Sequence, residues 1–375
     1  MEGCVSFQKG AYVNKKYVRA VLGACLCGLL LWPENVAAEE NTDRLIQLYH
    51  EYEANFAAIE RAEDIERYGY TSITDQSFPV CFESFGEEDV IFLPIIDDTY
   101  HRLAVLILDD KGNVLFKTNQ LETNYKWQGK LEQPTRGIAS VSFQDLNDDG
   151  LKDIVLITNC ENDSGDYAGR VYKVGDVLFQ REGAFYRDWR ISDKINRFSM
   201  NKSVRFITAY VKDGNSTEVL YTATTLDELL NNNFRIYEEQ CYSRNFEKQG
   251  RLQVVPGYIQ MGEYSVFMIY LVNEQGNIVW SFQPMEDYDN IYALRGMACT
   301  DLDGDGMRDL LVLARYSYEG PEDILVDTRC HIYYQRTDGF VEDTEFENTY
   351  QCTENDKVGE LTAIIREYWG WTTEE

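Results

Sequence analysis

Two nine-residue stretches carry the residue types and spacing that bind a hard cation. Asp301 to Asp309 reads Asp-Leu-Asp-Gly-Asp-Gly-Met-Arg-Asp, and Asp145 to Asp153 reads Asp-Leu-Asn-Asp-Asp-Gly-Leu-Lys-Asp. Side-chain oxygens stand at positions 1, 3, 5 and 9: Asp145, Asn147, Asp149 and Asp153 in the first loop, Asp301, Asp303, Asp305 and Asp309 in the second. Ca²⁺ gathers six to eight oxygens at short range, which alternate side chains and the position-7 carbonyls of Leu151 and Met307 can supply. Gly150 and Gly306 at position 6 let the chain turn back through φ > 0. The expectation is two Ca²⁺ sites. An EF-hand would need a bidentate Glu at position 12, whereas that position holds Leu156 and Val312, inside apolar runs that read as strands. The second loop offers four carboxylates and the first substitutes neutral Asn147 for one. Tighter binding is therefore expected at the second, although Asp148 adds negative field to the first.

The order strand, Asp-rich loop, strand, over Val141 to Leu156 and Met297 to Val312, resembles the FG-GAP or VCBS repeat family. These are the calcium-loop blades of integrin α-chain propellers and of many secreted bacterial proteins. The resemblance covers roughly thirty residues and implies calcium and a propeller-like architecture while saying almost nothing of biological role.

The elements that must position the loops read as a duplication. Slid by 164 residues, Gln76 meets Gln240, Phe82 meets Phe246, Glu83 meets Glu247 and Val90 meets Val254, and the turn at Lys111 to Asn113 meets that at Gln275 to Asn277. After a short deletion the Asp loops coincide, and Phe179-Gln180-Arg181 then meets Tyr334-Gln335-Arg336. Short runs of Val, Ile, Leu, Tyr and Phe between Gly, Asn and Asp read as strands. The fold class expected is mainly β: tandem duplicated four-stranded units, propeller-like, with a helix at each end. The first copy spans 68–197 and the second 231–352, joined by a connector over 198–230. That connector reads as two strands, Val204 to Val211 and Glu218 to Thr222, followed by a short helix from Thr225. An amphipathic pattern of Leu45, Leu48, Tyr52, Phe56 and Ile59 predicts an N-terminal helical segment over 39–67, packed on the β domain. Thr353 reads as the cap of a C-terminal helix over 353–375, with Val358, Leu361, Ile365 and Tyr368 on one face.

Lys15, Lys16 and Arg19, an apolar run from Ala20 to Trp32 and the small residues Val36-Ala37-Ala38 read as a signal peptide over 1–38. The run is too short to cross a bilayer comfortably, so no stable membrane span is expected after cleavage. A lipoprotein signal at Cys25 is the alternative. These readings predict export to the cell surface or beyond. The net charge of −29 opposes a nucleic-acid partner, whose phosphates would be repelled. Beyond residue 38 stand Cys81, Cys160, Cys241, Cys299, Cys330 and Cys352, which allow fifteen pairings. Cys330 and Cys352 flank an expected hairpin and are the first pair to test.

Catalytic constellations are weak. Three histidines, His50, His101 and His331, stand beside no nucleophile motif, and no phosphate-binding glycine loop is present. The reading is a non-catalytic protein that presents loops to an extracellular glycan or protein; the alternative is a secreted polysaccharide hydrolase using the repeats as scaffold. Loops from Glu161 to Arg170 and Tyr316 to Asp327, with Tyr167, Tyr316 and Tyr318, are the candidate exposed patch.

Overall fold

The computed structural model describes residues 47–125, 129–165, 168–286, 288–318, 326–343 and 345–371. The expected signal segment lies outside them. The chain divides into two compact units, Met1–Glu60 and Arg61–Glu375. In the first, residues 47–58 form a helix, α1. The helix expected to run on to residue 67 stops there. Beyond it Arg61 bridges Asn113 and the Ala62 N–H bonds to the Gly112 carbonyl at 2.8 Å, which commits this backbone to a sheet partner. Helicity returns for one turn, α2 (Asp64–Arg67).

The second unit is mainly β and, among its described residues, holds four antiparallel sheets. The first comprises β1 (Tyr70–Ser72), β2 (Phe78–Val80), β3 (Val90–Asp97), β4 (Leu103–Leu108) and β5 (Val114–Thr118). The next comprises β6 (Gly129–Leu131), β7 (Ile138–Gln144), β8 (Asp153–Asn162), β9 (Val171–Arg181) and β10 (Ala184–Arg187). The third is built from β11 (Arg235–Ile236), β12 (Tyr242–Phe246), β13 (Gly250–Met261), β14 (Tyr264–Val272) and β15 (Ile278–Phe282). The fourth runs β16 (Asn290–Thr300), β17 (Asp309–Ser317), β18 (Val326–Arg336) and β19 (Gly339–Glu342). The sheets do not close into a propeller.

Alternation along the central strands explains the layering. In β8, Ile154 and Leu156 face a cluster shared with Phe82, Phe92, Val105 and Ile107 of the first sheet. Val155 and Ile157 point the other way, into a cluster with Phe206, Ile207 and the third and fourth sheets. β17 repeats this: Leu310 and Val312 join that cluster, while Leu311 and Leu313 pack on Leu361 and Ile365 of the C-terminal helix. A strand buried on both faces reads as a continuous apolar run, which is what both sequences show.

The first and third sheets share local irregularities. A register break falls between Ile107 and Leu108 and again between Leu271 and Val272, and Thr225 bridges Asn277 as Arg61 bridges Asn113. Phe185 meets Phe82 and Phe116 edge-on, and Phe340 meets Phe246 and Trp280. One detail of the self-match is corrected. Val90 lies opposite Val80 and Leu252 opposite Arg244, so Val90 corresponds to Leu252 and not Val254. The tighter β13–β14 hairpin, closed at Met261 and Tyr264, absorbs the two-residue difference.

The connector is helical, contrary to the expected strands. After α3 (Trp189–Arg197), Val204–Val211 is α4, its first turn capped by the Ser203 hydroxyl accepting from the Phe206 N–H. Glu218–Thr222 is α5, and Leu226–Asn231, α6, is the expected short helix from Thr225, whose hydroxyl accepts from the Glu228 N–H. The β-branched residues of α4 misled; Phe206, Ile207 and Ala209 are buried, and that packing outweighs propensity. α7 (Phe346–Thr349) and α8 (Val358–Tyr368) follow the last sheet. Thr353 does not cap α8; its hydroxyl and N–H engage Asp356 in the turn before it. Cys330 and Cys352 meet as free thiols in hydrogen-bond contact. Among the described residues no helix is long and apolar enough to cross a membrane.

Candidate metal centre

Each Asp loop joins two strands of one sheet, β7 to β8 and β16 to β17, so its ends are fixed by ladder pairs: Gln144 with Asp153, Thr300 with Asp309. Position 1 organises the turn. Asp145 Oδ2 accepts from the Gly150 N–H at 2.9 Å, and Asp301 Oδ2 from the Gly306 N–H at 2.8 Å. Position 5 accepts from position 7, Asp149 from the Leu151 N–H at 2.9 Å and Asp305 from the Met307 N–H at 2.8 Å. Position 3 accepts from the N–H of position 5: Asn147 at 3.2 Å and Asp303 at 3.3 Å.

Position 9 is the buried anchor. Asp153 accepts from the N–H groups of Leu146 and Gln180, each at 2.9 Å, and Asp309 from those of Leu302 and Gln335, each at 2.8 Å. Burial pushes the Asp309 carboxyl up to about 7, with Asp303 and Asp305 adding to the rise against the pull of its two N–H donors. Burial also raises Asp153. A dication among these carboxylates would reverse that strain, because it favours the charged form.

The loops differ in how far the oxygens converge. Asp301, Asp303 and Asp309 each offer an oxygen, all within 4.8 Å of one another. Among the described residues no such carboxylate trio forms in the first loop, where the Asn147 amide instead donates to Asp149 at 3.0 Å. Asp305 lies outside the trio, held with Asp303 by the Arg336 guanidinium, at 3.1 Å and 2.7 Å. At the first loop the neighbouring cation is Lys212, 2.8 Å from Asp148. Position 4 is left-handed in both, Asp148 at φ 57° and Gly304 at φ 82°. Gly304 also leaves room for Trp371: a Cβ there would stand 2.9 Å from Trp371 Cγ. Arg366 of α8 donates to the Asp301 carbonyl at 3.0 and 2.9 Å, as Lys212 does to that of Asp145 at 3.3 Å.

Sequence reasoning missed the clasp behind each loop. Glu83, from the first sheet, accepts from the Lys152 N–H at 2.9 Å and also binds its ammonium. Gln180 donates to the Lys152 carbonyl at 2.7 Å and accepts from the Ser84 N–H at 2.7 Å. The second half repeats this with Glu247 on the Arg308 N–H at 2.8 Å and on its guanidinium, and with Gln335 on the Arg308 carbonyl and the Lys248 N–H, both 2.9 Å. Burial alone would raise the Glu83 carboxyl, but the Lys152 hydrogen bonds outweigh it and hold it at about 2. The signal was present, since Glu83 with Glu247 and Gln180 with Gln335 are matched pairs of the self-alignment.

The exposed aromatic patch is corrected in part. Tyr316, next to the end of β17, is fully buried and stacked on Tyr288, while Tyr318 is 40% exposed. Tyr167 and residues 319–325 lie outside the described residues.

No family model and no curated protein matches the chain. Among solved structures it is similar to an exotype rhamnogalacturonan lyase, YesX, with 12% identity and TM-score 0.18, over 70% of this chain and 45% of that one. It is similar also to the rhamnogalacturonan lyase YesW, with 11% identity and TM-score 0.18, over 73% of this chain and 49% of that one. The chain thus spans about half the length of each, and a likeness this slight carries no argument.

Proposed function

We propose that this is an exported calcium-binding protein of the FG-GAP or VCBS kind, built by duplication, whose two Asp loops hold Ca²⁺ and whose surface loops engage an extracellular glycan or protein. The observation that carries the calcium reading is the convergence of Asp301, Asp303 and Asp309 within 4.8 Å, above a buried Asp309 braced by two backbone N–H groups. Duplication is supported by the paired clasps, register breaks and Phe clusters of the two halves. One surface groove lies along Arg315, Asp327, Arg329 and Glu354, and another along Asn215, Glu218, Glu228 and Gln260. Residues 1–38 supply the export signal in this reading.

Calcium here serves stability first. A ligand binding only the folded state, at a hundred times its dissociation constant, adds about 2.7 kcal/mol per site. Calorimetry and thermal melts of the chain lacking residues 1–38, with and without chelator, test this. The expected result is calcium binding in the ~10⁻⁴ to 10⁻³ M range typical of extracellular modules and a lower Tm on chelation. An unmoved melting curve with no heat of binding would overturn it. A glycan array probed with and without calcium tests the partner.

A further inference from the structure

The first half contains a buried polar site remote in sequence from its Asp loop. Asp176, fully buried on β9, accepts from the Glu122 N–H at 2.7 Å, and Arg187 of β10 lies 2.9 Å from the Glu122 carboxylate and 4.0 Å from that of Asp176. One guanidinium thus serves two carboxylates in a closed ionic group.

The same three places in the second half hold different residues. Asp176 pairs with Leu156 across β8–β9 and His331 with Val312 across β17–β18; Arg187 pairs with Leu178 and Glu342 with Tyr333. Glu122 and Glu286 both follow the last strand of the preceding sheet, 164 residues apart. The acid has become a histidine and the guanidinium a carboxylate, so Glu286, His331 and Glu342 now stand where Glu122, Asp176 and Arg187 balanced. α7 adds a further acid: Glu347 takes the Ile332 N–H on one oxygen at 2.8 Å, and its other oxygen lies 3.6 Å from His331 Nδ1.

One ligand atom from each of Glu286, His331 and Glu347 lies within 4.8 Å of the others. His331 is 1% exposed; its Nε2 has no hydrogen-bond partner among the described residues and its Nδ1 faces only the Glu347 carboxylate, 3.6 Å away, and the buried hydroxyls of Tyr316 and Tyr333 are likewise without a hydrogen-bond partner. The Tyr316 ring lies 5.7 Å from that of His331. Arg170, 3.9 Å from Glu286, is the cation at the outer edge, and Lys202 donates to the Glu286 carbonyl, holding that residue at φ 46°. A buried imidazole nitrogen without a partner, as Nε2 is here, costs free energy unless something ligates or bonds it.

We propose that Glu286, His331 and Glu347 bind a first-row transition dication of the zinc class, at a site separate from both Asp loops. Imidazole with carboxylates suits such an ion, whereas Ca²⁺ takes oxygen alone. In the first half Arg187 supplies the positive charge that the metal supplies here. Exposed Glu286 forms the open side, through which the ion enters.

The experiment is a Zn²⁺ titration by calorimetry of the protein, stripped with chelator and then saturated with Ca²⁺ so that the Asp loops are filled. One equivalent of zinc is expected to bind. Glu286→Gln, at an exposed position that leaves the core intact, should weaken it about tenfold, and His331→Gln should abolish it, with calcium stoichiometry unchanged in both. Glu342→Arg, which restores the arrangement of the first half, should also exclude zinc while the protein stays folded. Absence of zinc binding by the unsubstituted protein, or binding that Glu286→Gln and Glu342→Arg both leave unaltered, overturns the proposal.

Discussion

The Arg336 guanidinium lies 2.7 Å from Asp303 Oδ2, while its other terminal nitrogen lies 3.1 Å from Asp305. Two of the four carboxylates in the more acidic loop are thus already engaged by a cation carried on β18. In the proposed calcium reading Arg336 competes with Ca²⁺ for these oxygens, and the advantage expected from charge count alone is reduced. Arg336→Gln should tighten calcium binding at the second loop about three- to tenfold, consistent with the modest worth of a partly exposed ion pair. Isothermal titration of the variant decides it; weaker binding would make Arg336 a support of the site and not a competitor.

The clasp predicts a stability effect independent of metal. Glu247→Gln removes the charge that meets Arg308 but keeps an acceptor for its N–H, so it should cost about 1 kcal/mol; Glu247→Ala, which also leaves the Arg308 N–H without that acceptor, should cost about 2. Glu83→Ala should behave alike in the first half. Urea melts in excess chelator measure both, and equal losses for the Gln and Ala variants would show that the hydrogen bonds contribute nothing beyond charge.

The loops themselves were legible because their chemistry is local: nine residues contain the oxygen-bearing side chains and the turn glycine, and the strand begins at the ninth. Paired Gln and Glu positions were visible too, but their roles depend on a contact between sheets, such as Glu83 reaching Lys152, that no local pattern encodes. Val204–Val211 shows the opposite failure. Its Val, Phe, Ile, Thr and Tyr have strand propensity, and only the Ser203 cap and the burial of Phe206 and Ile207 select a helix. His331 read as an ordinary lone histidine, since Glu286 and Glu347 come to it from separate elements.

Position 4 of the loops gives a contrasting pair. Gly304→Ala meets both a left-handed backbone and the Trp371 ring, and should cost about 1–3 kcal/mol. Asp148→Gly relieves the left-handed residue of the first loop and should be neutral or slightly stabilising, with loss of the Lys212 pair set against it. A double-mutant cycle of Gly304→Ala with Trp371→Ala should be non-additive; strict additivity would remove the ring from the explanation.

Asp176 sets a pH dependence. Burial pushes its carboxyl up to about 7, despite the Glu122 N–H and Arg187. The folded state therefore holds this proton more tightly than the unfolded chain, whose aspartate titrates near ~3.9. Its contribution to stability is greatest below about pH 4 and falls as pH rises to about 7. Asp176→Asn removes this slope, so its stability relative to the parent should improve between pH 5 and 7 by on the order of 1–2 kcal/mol. Melts across that range check it, and a constant difference would mean that Asp176 stays ionised throughout.

Cys330 and Cys352 touch as thiols, and the shared hydrogen bond, with burial, raises Cys330 while the same bond lowers Cys352. A mild oxidant should join this pair before any other among the six described cysteines, with loss of two titratable thiols and a peptide linking β18 to the segment before α8. Mass mapping that finds a different first pair would refute it.

Trp371 lies against Gly304, inside the second loop, and its ring is covered by the Arg366 guanidinium at 4.6 Å. An indole in that position senses the electric field of whatever sits among Asp301, Asp303 and Asp309, so its emission carries a signal from one loop alone. At the first loop the corresponding neighbour is Lys212, which has no chromophore. Among the six tryptophans of the chain Trp371 alone is placed against an Asp loop among the described residues, so in the proposed reading the emission difference between the parent and Trp371→Phe follows the second loop while calorimetry records the sum.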